Sequence, residues 1–350
     1  MIGPNFNLNR MRSVGVLIGI LLGGIGNAQD LHFSIPSRAP LQINPSLAGS
    51  HEGDYRIMSA YKNQWASIGT PFQTIYGSYD MKLFKTNEGD NHLGSGISFF
   101  SDKAGKTSMG LTQLNLHVAY QSKIGDTQFL SCGIQAGFVQ RSVNYEGIKW
   151  DNQYDGIGYD PVLPSGENNL LQNSSYLDAG AGVTWEYVPN NRFRGKVGCA
   201  AFHLTMANGS YYPGNTDQQK LRMVLHGEGE LKLNEEFTLL PQLVSMLKGP
   251  SLGLNVGGFV KYVTGERSKY TDATIPSTLS LGGFYRYDDA MIIGLLYEYR
   301  QLVSIGFSYD LNISPLRIAT SVKGGMEISL LINGLFEKQV INLKQKRSLL

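Results

Sequence analysis

Few residues in this chain are typed and spaced for chemistry, and each such group fails on a specific position. Gly105-Lys106-Thr107 looks like the end of a phosphate-binding loop, but Phe100 stands where GxxxxGK[ST] requires its first glycine. Asp151, Gln153, Asp155 and Gly156 open like a calcium-binding loop, yet Val162 occupies the twelfth position, where a bidentate Glu should close the coordination sphere. A calcium site with another ligand set stays open for this loop. The six histidines are scattered and no HExxH occurs; His117 and His226 fall on polar strand faces and read as interior residues of a wet lumen. A hydrolase Ser/His pair at a lumen edge has nominal candidates, none standing above another. Cys132 and Cys199 lack CxxC spacing and read as small strand residues. No catalytic, metal or cofactor-binding set is therefore assigned.

The elements around these residues are strands. In 111–121, Leu114, Leu116, Val118 and Tyr120 share one side while Gln113, Asn115, His117 and Gln121 share the other, the period of a two-faced strand. In 221–233, Leu221, Met223, Leu225, Leu231 and Leu233 oppose Arg222, His226, Glu228, Glu230 and Lys232. A soluble sandwich would bury the first face, whereas a membrane barrel would turn it to lipid and the charged face to a lumen. One strand does not decide between them; many long ones do. Candidate strands run over 54–65, 71–83, 92–101, 108–123, 126–143, 175–188, 192–205, 220–233, 236–248, 251–264, 275–288, 290–299, 302–311 and 321–336. These lengths exceed the roughly five to six residues usual in soluble sheets and suit a tilted transmembrane strand.

Connections alternate between short and long. Gly125, Pro189-Asn190, Asn234-Glu235 and Arg300-Gln301 are tight, whereas 144–174, 206–219 and 312–320 are long. Short periplasmic turns and long outer loops are the barrel habit. Two connections on the expected periplasmic side, 84–91 and 265–274, are not short; they read as irregular turns or as docking points for a periplasmic partner. Gly133, Gly137, Gly180 and Gly182 read as places where the wall curves or interior side chains need room.

Ahead of the strands, Arg10 and Arg12 precede an apolar run from Val14 to Ile25, and Gly26-Asn27-Ala28 puts small residues before Gln29. This is the pattern of a secretory signal peptide over 1–28, its apolar run too short for the roughly twenty residues that span a bilayer. Pro36, Pro40 and Pro45 deny 29–53 a long regular element, so it is expected to be a periplasmic N-terminal lead-in. The barrel is placed at 54–336, with Phe336 as a terminal aromatic, and 337–350 forms a basic tail. The expected fold is all-β: a transmembrane antiparallel β-barrel of about fourteen strands in the bacterial outer membrane. A net charge of +2 gives no sign of a nucleic-acid partner.

Several segments resemble the type IX secretion system membrane proteins of the PorP/SprF family, found in Bacteroidota. They are Ile43-Asn44-Pro45-Ser46-Leu47-Ala48-Gly49-Ser50, Tyr61-Lys62-Asn63-Gln64-Trp65, Gly69-Thr70-Pro71-Phe72-Gln73-Thr74, Tyr154-Asp155-Gly156 with Asp160-Pro161 and Leu163-Pro164-Ser165-Gly166-Glu167, Phe202-His203, and Ser308-Tyr309-Asp310-Leu311-Asn312 with Gly324-Gly325-Met326-Glu327. The tail after Phe336 departs from the family pattern. The resemblance implies a non-enzymatic outer-membrane component that works with the periplasmic ring and peptidoglycan-linked components of the secretion apparatus. It also implies a role in secretion or surface attachment of a partner, such as a gliding adhesin, through the substrate's C-terminal signal domain. Within that picture 144–174 is the candidate contact surface, with Trp150, Tyr154 and Tyr159 as aromatic anchors beside Asp155 and Asp160; a lid over the barrel mouth is the equal alternative. A diffusion channel or hydrophobic-solute transporter is the competing function.

Overall fold

The computed structural model describes residues 33–335 apart from 68, 87–90, 106–108, 145–148, 167–172, 212–213 and 265–275. The expected signal peptide, Phe336, the basic tail, Lys106-Thr107 and the 265–274 connection lie outside the described residues.

The strands are β1 (Tyr55–Gln64), β2 (Phe72–Leu83), β3 (His92–Ala104), β4 (Met109–Gly125), β5 (Gln128–Ser142), β6 (Asn173–Asn190), β7 (Phe193–Phe202), β8 (Arg222–Lys232), β9 (Phe237–Lys248), β10 (Ser251–Thr264), β11 (Ser277–Arg286), β12 (Ala290–Tyr299), β13 (Val303–Asn312) and β14 (Lys323–Gly334). Each pairs antiparallel with its sequence neighbours, and β1 closes on β14 in a register from Tyr55↔Gly334 to Gln64↔Gly325. Closure leaves no unpaired edge, which is what lets a sheet sit in hydrocarbon. All fourteen expected strands are present. The largest boundary differences, three residues each, are the end of β3 at Ala104 rather than 101 and the end of β7 at Phe202 rather than 205, where His203 turns to a φ of 60° and leaves the ladder.

The faces are inverted relative to a soluble protein. On β4, Leu114, Leu116, Val118 and Tyr120 are exposed on the outer surface, while Asn115 and His117 are buried inside. On β8, Met223, Leu225 and Leu231 face outward while Arg222 and His226 are buried. A belt of exposed Leu, Ile, Val, Phe and Tyr around a polar interior is stable only if the belt meets lipid, so the chain is a membrane barrel. No described helix is long and apolar enough to cross a membrane, and the crossing is made by strands.

β1 begins and β14 ends at one end of the barrel, here the terminal end. The turns 126–127, 191–192 and 300–302 lie there, and the long connections 143–172, 203–221 and 313–322 lie at the opposite, loop end. The segment expected to lead into β1 from outside is packed inside the wall: most residues from Phe33 to Gly49 are buried.

Candidate functional site

The interior is filled by the chain's own N-terminal segment. Its three prolines each start a short helical turn, Pro36–Arg38, Pro40–Ile43 and Pro45–Leu47. Proline at a first helical position loses no intrahelical bond, and it brings no N–H that the lumen would have to satisfy. Phe33 packs on Tyr76 and Phe100 towards the loop end, with ring centroids 5.5 and 6.4 Å away. Ile35 lies in an apolar cluster with Phe259, Phe284 and Ile292, and Ile43 in another with Phe202, Val224 and Val244. The segment leaves at the terminal end, where Asp54 N donates to Gly334 O at 2.7 Å.

Polar bonds fix this plug to walls on every side. Ser34 N donates to Glu327 Oε2 at 2.6 Å, and Asn255 Nδ2 donates to Ser34 O at 3.2 Å. Arg38 Nη2 donates to Ser304 Oγ at 2.7 Å. Asn44 Nδ2 reaches Val183 O at 3.1 Å and Cys199 O at 3.2 Å, while its Oδ1 accepts from Ser46 N at 2.9 Å and from Ser46 Oγ at 2.7 Å. Each bond is individually worth little, but leaving these groups unpaired in the lumen would cost about 1–3 kcal/mol apiece.

The wall is recessed to receive the plug. A β-carbon on Gly182 would stand 2.1 Å from Asn44 Oδ1, one on Gly133 2.5 Å from Ser46 Cα, and one on Gly94 2.0 Å from Ala48 O. Gly49 itself needs a φ of +74°, a region open to glycine at no steric cost. Thus Gly133 and Gly182 make room inside, as their positions on strands suggested, for an occupant that those positions did not identify.

At the plug's exit, Arg56 grips Asp80 through Nε to Oδ1 at 2.9 Å and Nη2 to Oδ2 at 2.8 Å, and Gly49 N donates to the same Oδ2 at 2.8 Å. The Arg56 Nη2 also donates to Leu47 O at 3.1 Å. Buried His51 lies 3.5 Å from Asp80 Oδ2. Burial, then the Arg56, Lys82, Lys196 and His92 charges, nevertheless push its imidazole down to about 2. Towards the loop end, Asp310 accepts from Arg286 Nη2 at 2.7 Å and pairs with Lys62 at 3.6 Å, and Arg286 also holds Asp289. These are fully desolvated pairs whose value depends on each partner being present.

Below the plug, at the terminal end, lies a cavity of about 280 Å³ bordered by Arg38, Arg194, Lys196, Leu240, Phe259 and Leu296.

The candidate contact loop forms a compact tip. Trp150 caps the turn Asp151–Gln153, Tyr154 bridges to Tyr159, and Asp155 Oδ1 accepts from Ile157 N at 2.8 Å and Gly158 N at 2.7 Å, which hold its carboxyl below the usual range. Asp160 Oδ1 accepts from Val162 N at 2.9 Å, and Lys149 lies over the Tyr159 ring. Tyr154, Ile157 and Val162 project outward, Ile157 with 94% of its surface exposed. Asp151, Asp155 and the neighbouring acids form no cluster of three metal-ligating groups among the described residues.

The other family-motif residues separate into two sets. Asn44, Pro45, Gly49 and Asp310 lie inside, in the plug and its charge clusters. Asn63, Gln64 and Trp65 sit at the loop end of β1, with Trp65 against Phe72 at 5.0 Å. Tyr309 neighbours Met326 across the wall. Pro164, Ser165 and Gly166 belong to the loop, where Asn152 Nδ2 donates to Ser165 O at 3.4 Å. Sequence reasoning missed the anchoring roles of Arg56, Asp80 and Glu327 because strand periodicity marks them only as inward and polar, and that of Arg38 because its segment reads as a lead-in outside the wall.

Among solved structures, the fold is similar to the Ralstonia pickettii toluene transporter TbuX at 11% identity and a TM-score of 0.46, covering 90% of this chain and 100% of that one. It is similar to the CymD monoaromatic hydrocarbon channel at 10% identity and a TM-score of 0.47, over 90% and 96%. The P. putida toluene transporter TodX matches at 8% identity and a TM-score of 0.46, over 84% and 93%. No curated protein sequence matches the chain. The family described as type IX secretion system membrane protein PorP/SprF matches residues 25–331, from before the plug to the last strand, and the chain belongs to that family.

Proposed function

We propose that this protein is a non-enzymatic outer-membrane component of the type IX secretion system. It assists secretion or surface attachment of a partner substrate by engaging the substrate's C-terminal signal domain, with a gliding adhesin as the substrate class. In this reading the terminal end faces the periplasm and its ring and peptidoglycan-linked components, and the loop end lies at the cell surface. The observation that carries it is the family match over a barrel whose lumen is closed by its own N-terminal segment. A barrel filled from wall to wall acts through its surfaces, and the 144–174 loop presents Tyr154, Ile157 and Val162 outward as apolar anchors.

The test is a crosslinked pull-down of the tagged protein from outer membranes, with co-purifying chains identified by mass spectrometry. Recovery of ring components or a large surface protein is the expected result. A partnerless barrel that conducts steadily in planar bilayers overturns it in favour of a diffusion channel.

A further inference from the structure

The cavity below the plug pairs off its charges except at Arg38 and Glu298. Arg194 is held by Glu186, and Glu52 lies 3.6 Å from it. Lys196 lies 3.6 Å from Glu228 and donates to Ser50 Oγ at 3.0 Å. Glu230 lies 3.9 Å from Lys261. Glu298, half-exposed at the mouth, accepts from Thr278 Oγ1 at 3.3 Å. Arg38 has no carboxylate within ion-pair distance among the described residues; its guanidinium, 5% exposed, donates to a neutral serine hydroxyl. A buried cation bonded only to a neutral hydroxyl is costly, and burial pushes this guanidinium down to about 10 against the pull of the more distant Glu298 and Glu327 charges.

Hydrocarbon covers the rest of the lining. Leu240, Phe259, Leu296 and Leu331 border the same space. The wall beside it is interrupted: β8 and β9 pair up to Glu228↔Gln242 and resume at Leu231↔Leu239. Pro241 stands opposite Gly229 in the gap and has no N–H to donate. Gly229 adds no side chain there, and a β-carbon on it would meet the Pro241 ring at 3.1 Å. Gly229 borders the cavity from within, while Pro241 is exposed on the lipid-facing surface.

We propose that this cavity binds a single-chain anionic amphiphile, its carboxylate or phosphate head on Arg38 and its acyl chain along Leu240, Phe259 and Leu296 towards the lipid at Gly229 and Pro241. Arginine's planar fork suits such a head because it can donate two parallel bonds to one oxyanion.

The full chain in phosphatidylcholine nanodiscs is photolabelled with dodecanoic acid carrying a terminal diazirine, and labelled peptides are mapped by mass spectrometry. Expected is label on β8 to β10 that dodecanoate competes away and that dodecanol or acetate at the same concentration does not. Arg38→Gln lowers it at least tenfold. Ser304→Asp, which supplies Arg38 with a carboxylate of its own, gives a folded barrel that labels equally poorly, and it decides alone if Arg38→Gln does not fold. Label spread over the outer belt and unchanged by Ser304→Asp overturns the proposal. Equal competition by acetate, showing a site for any small anion, or by dodecanol, showing a merely apolar one, does so too.

Discussion

The side-chain oxygen of Asn44 occupies the place where Gly182 would carry a β-carbon, 2.1 Å from that position. Wall and plug are thus complementary at the scale of one methyl group, and a wall substitution should act on a segment far away in sequence.

Gly182→Val should displace Asn44 and Ser46 from the wall. Overpacking of this kind costs about 1–3 kcal/mol, so the barrel should unfold at lower urea. Planar-bilayer recordings should show conductance steps that the unmodified protein lacks. A silent barrel of unchanged stability would mean that the plug tolerates a bulkier wall.

Asp80→Ala should destabilise by about 3–5 kcal/mol, because it strands the buried Arg56 guanidinium and removes the acceptor of Gly49 N. In a double-mutant cycle with Arg56→Ala, urea titrations should give a combined loss well below the sum of the two. Additive losses would show that the pair does not act as a unit.

His51 should make stability fall in acid. Its folded-state value, about 2, is below the ordinary 6.5, so an unfolded chain takes up the proton first as pH drops. The stabilisation is present above about pH 6.5 and is lost progressively as pH falls below it, by at most about 1.4 kcal/mol per pH unit. Unfolding midpoints measured from pH 7 to 4 should therefore decline, and His51→Gln should flatten the slope. An equal slope in the variant assigns the effect elsewhere.

Shortening 152–167 should leave barrel yield and heat-modifiable gel mobility unchanged while substrate retention at the cell surface drops several-fold. The loop is held by its own bonds, including Asp155 to Ile157 N and Gly158 N, so its removal takes little from the wall. Normal retention in that variant would dispose of the contact surface.

Cys132 and Cys199 are both free and exposed, and both neighbour Val183 across the wall. Spin labels there should be relaxed strongly by lipid-dissolved oxygen and weakly by an aqueous nickel complex. The reverse order would contradict a lipid-facing belt.

The strands were legible because their period of two survives nearly everywhere and because fourteen mostly two-faced runs admit few closures; Leu114, Leu116, Val118 and Tyr120 on one side already describe a wall. The loop residues from Trp150 to Asp160 were legible as a polar-aromatic insertion, but their bonded tip was not, since turn geometry depends on local backbone bonds that composition does not specify. Which face points inward was fixed by closure, which leaves only one side of the sheet enclosed. Sequence by itself thus determined a membrane-barrel wall, its strand count and the alternation of its connections, all of which follow from local periodicity. Only the tertiary structure decided that Phe33 to Gly49 fills the lumen. That placement rests on contacts such as Ser34 with Glu327 and Asn44 with His226, 293 and 182 positions apart, whose pairing no local pattern records.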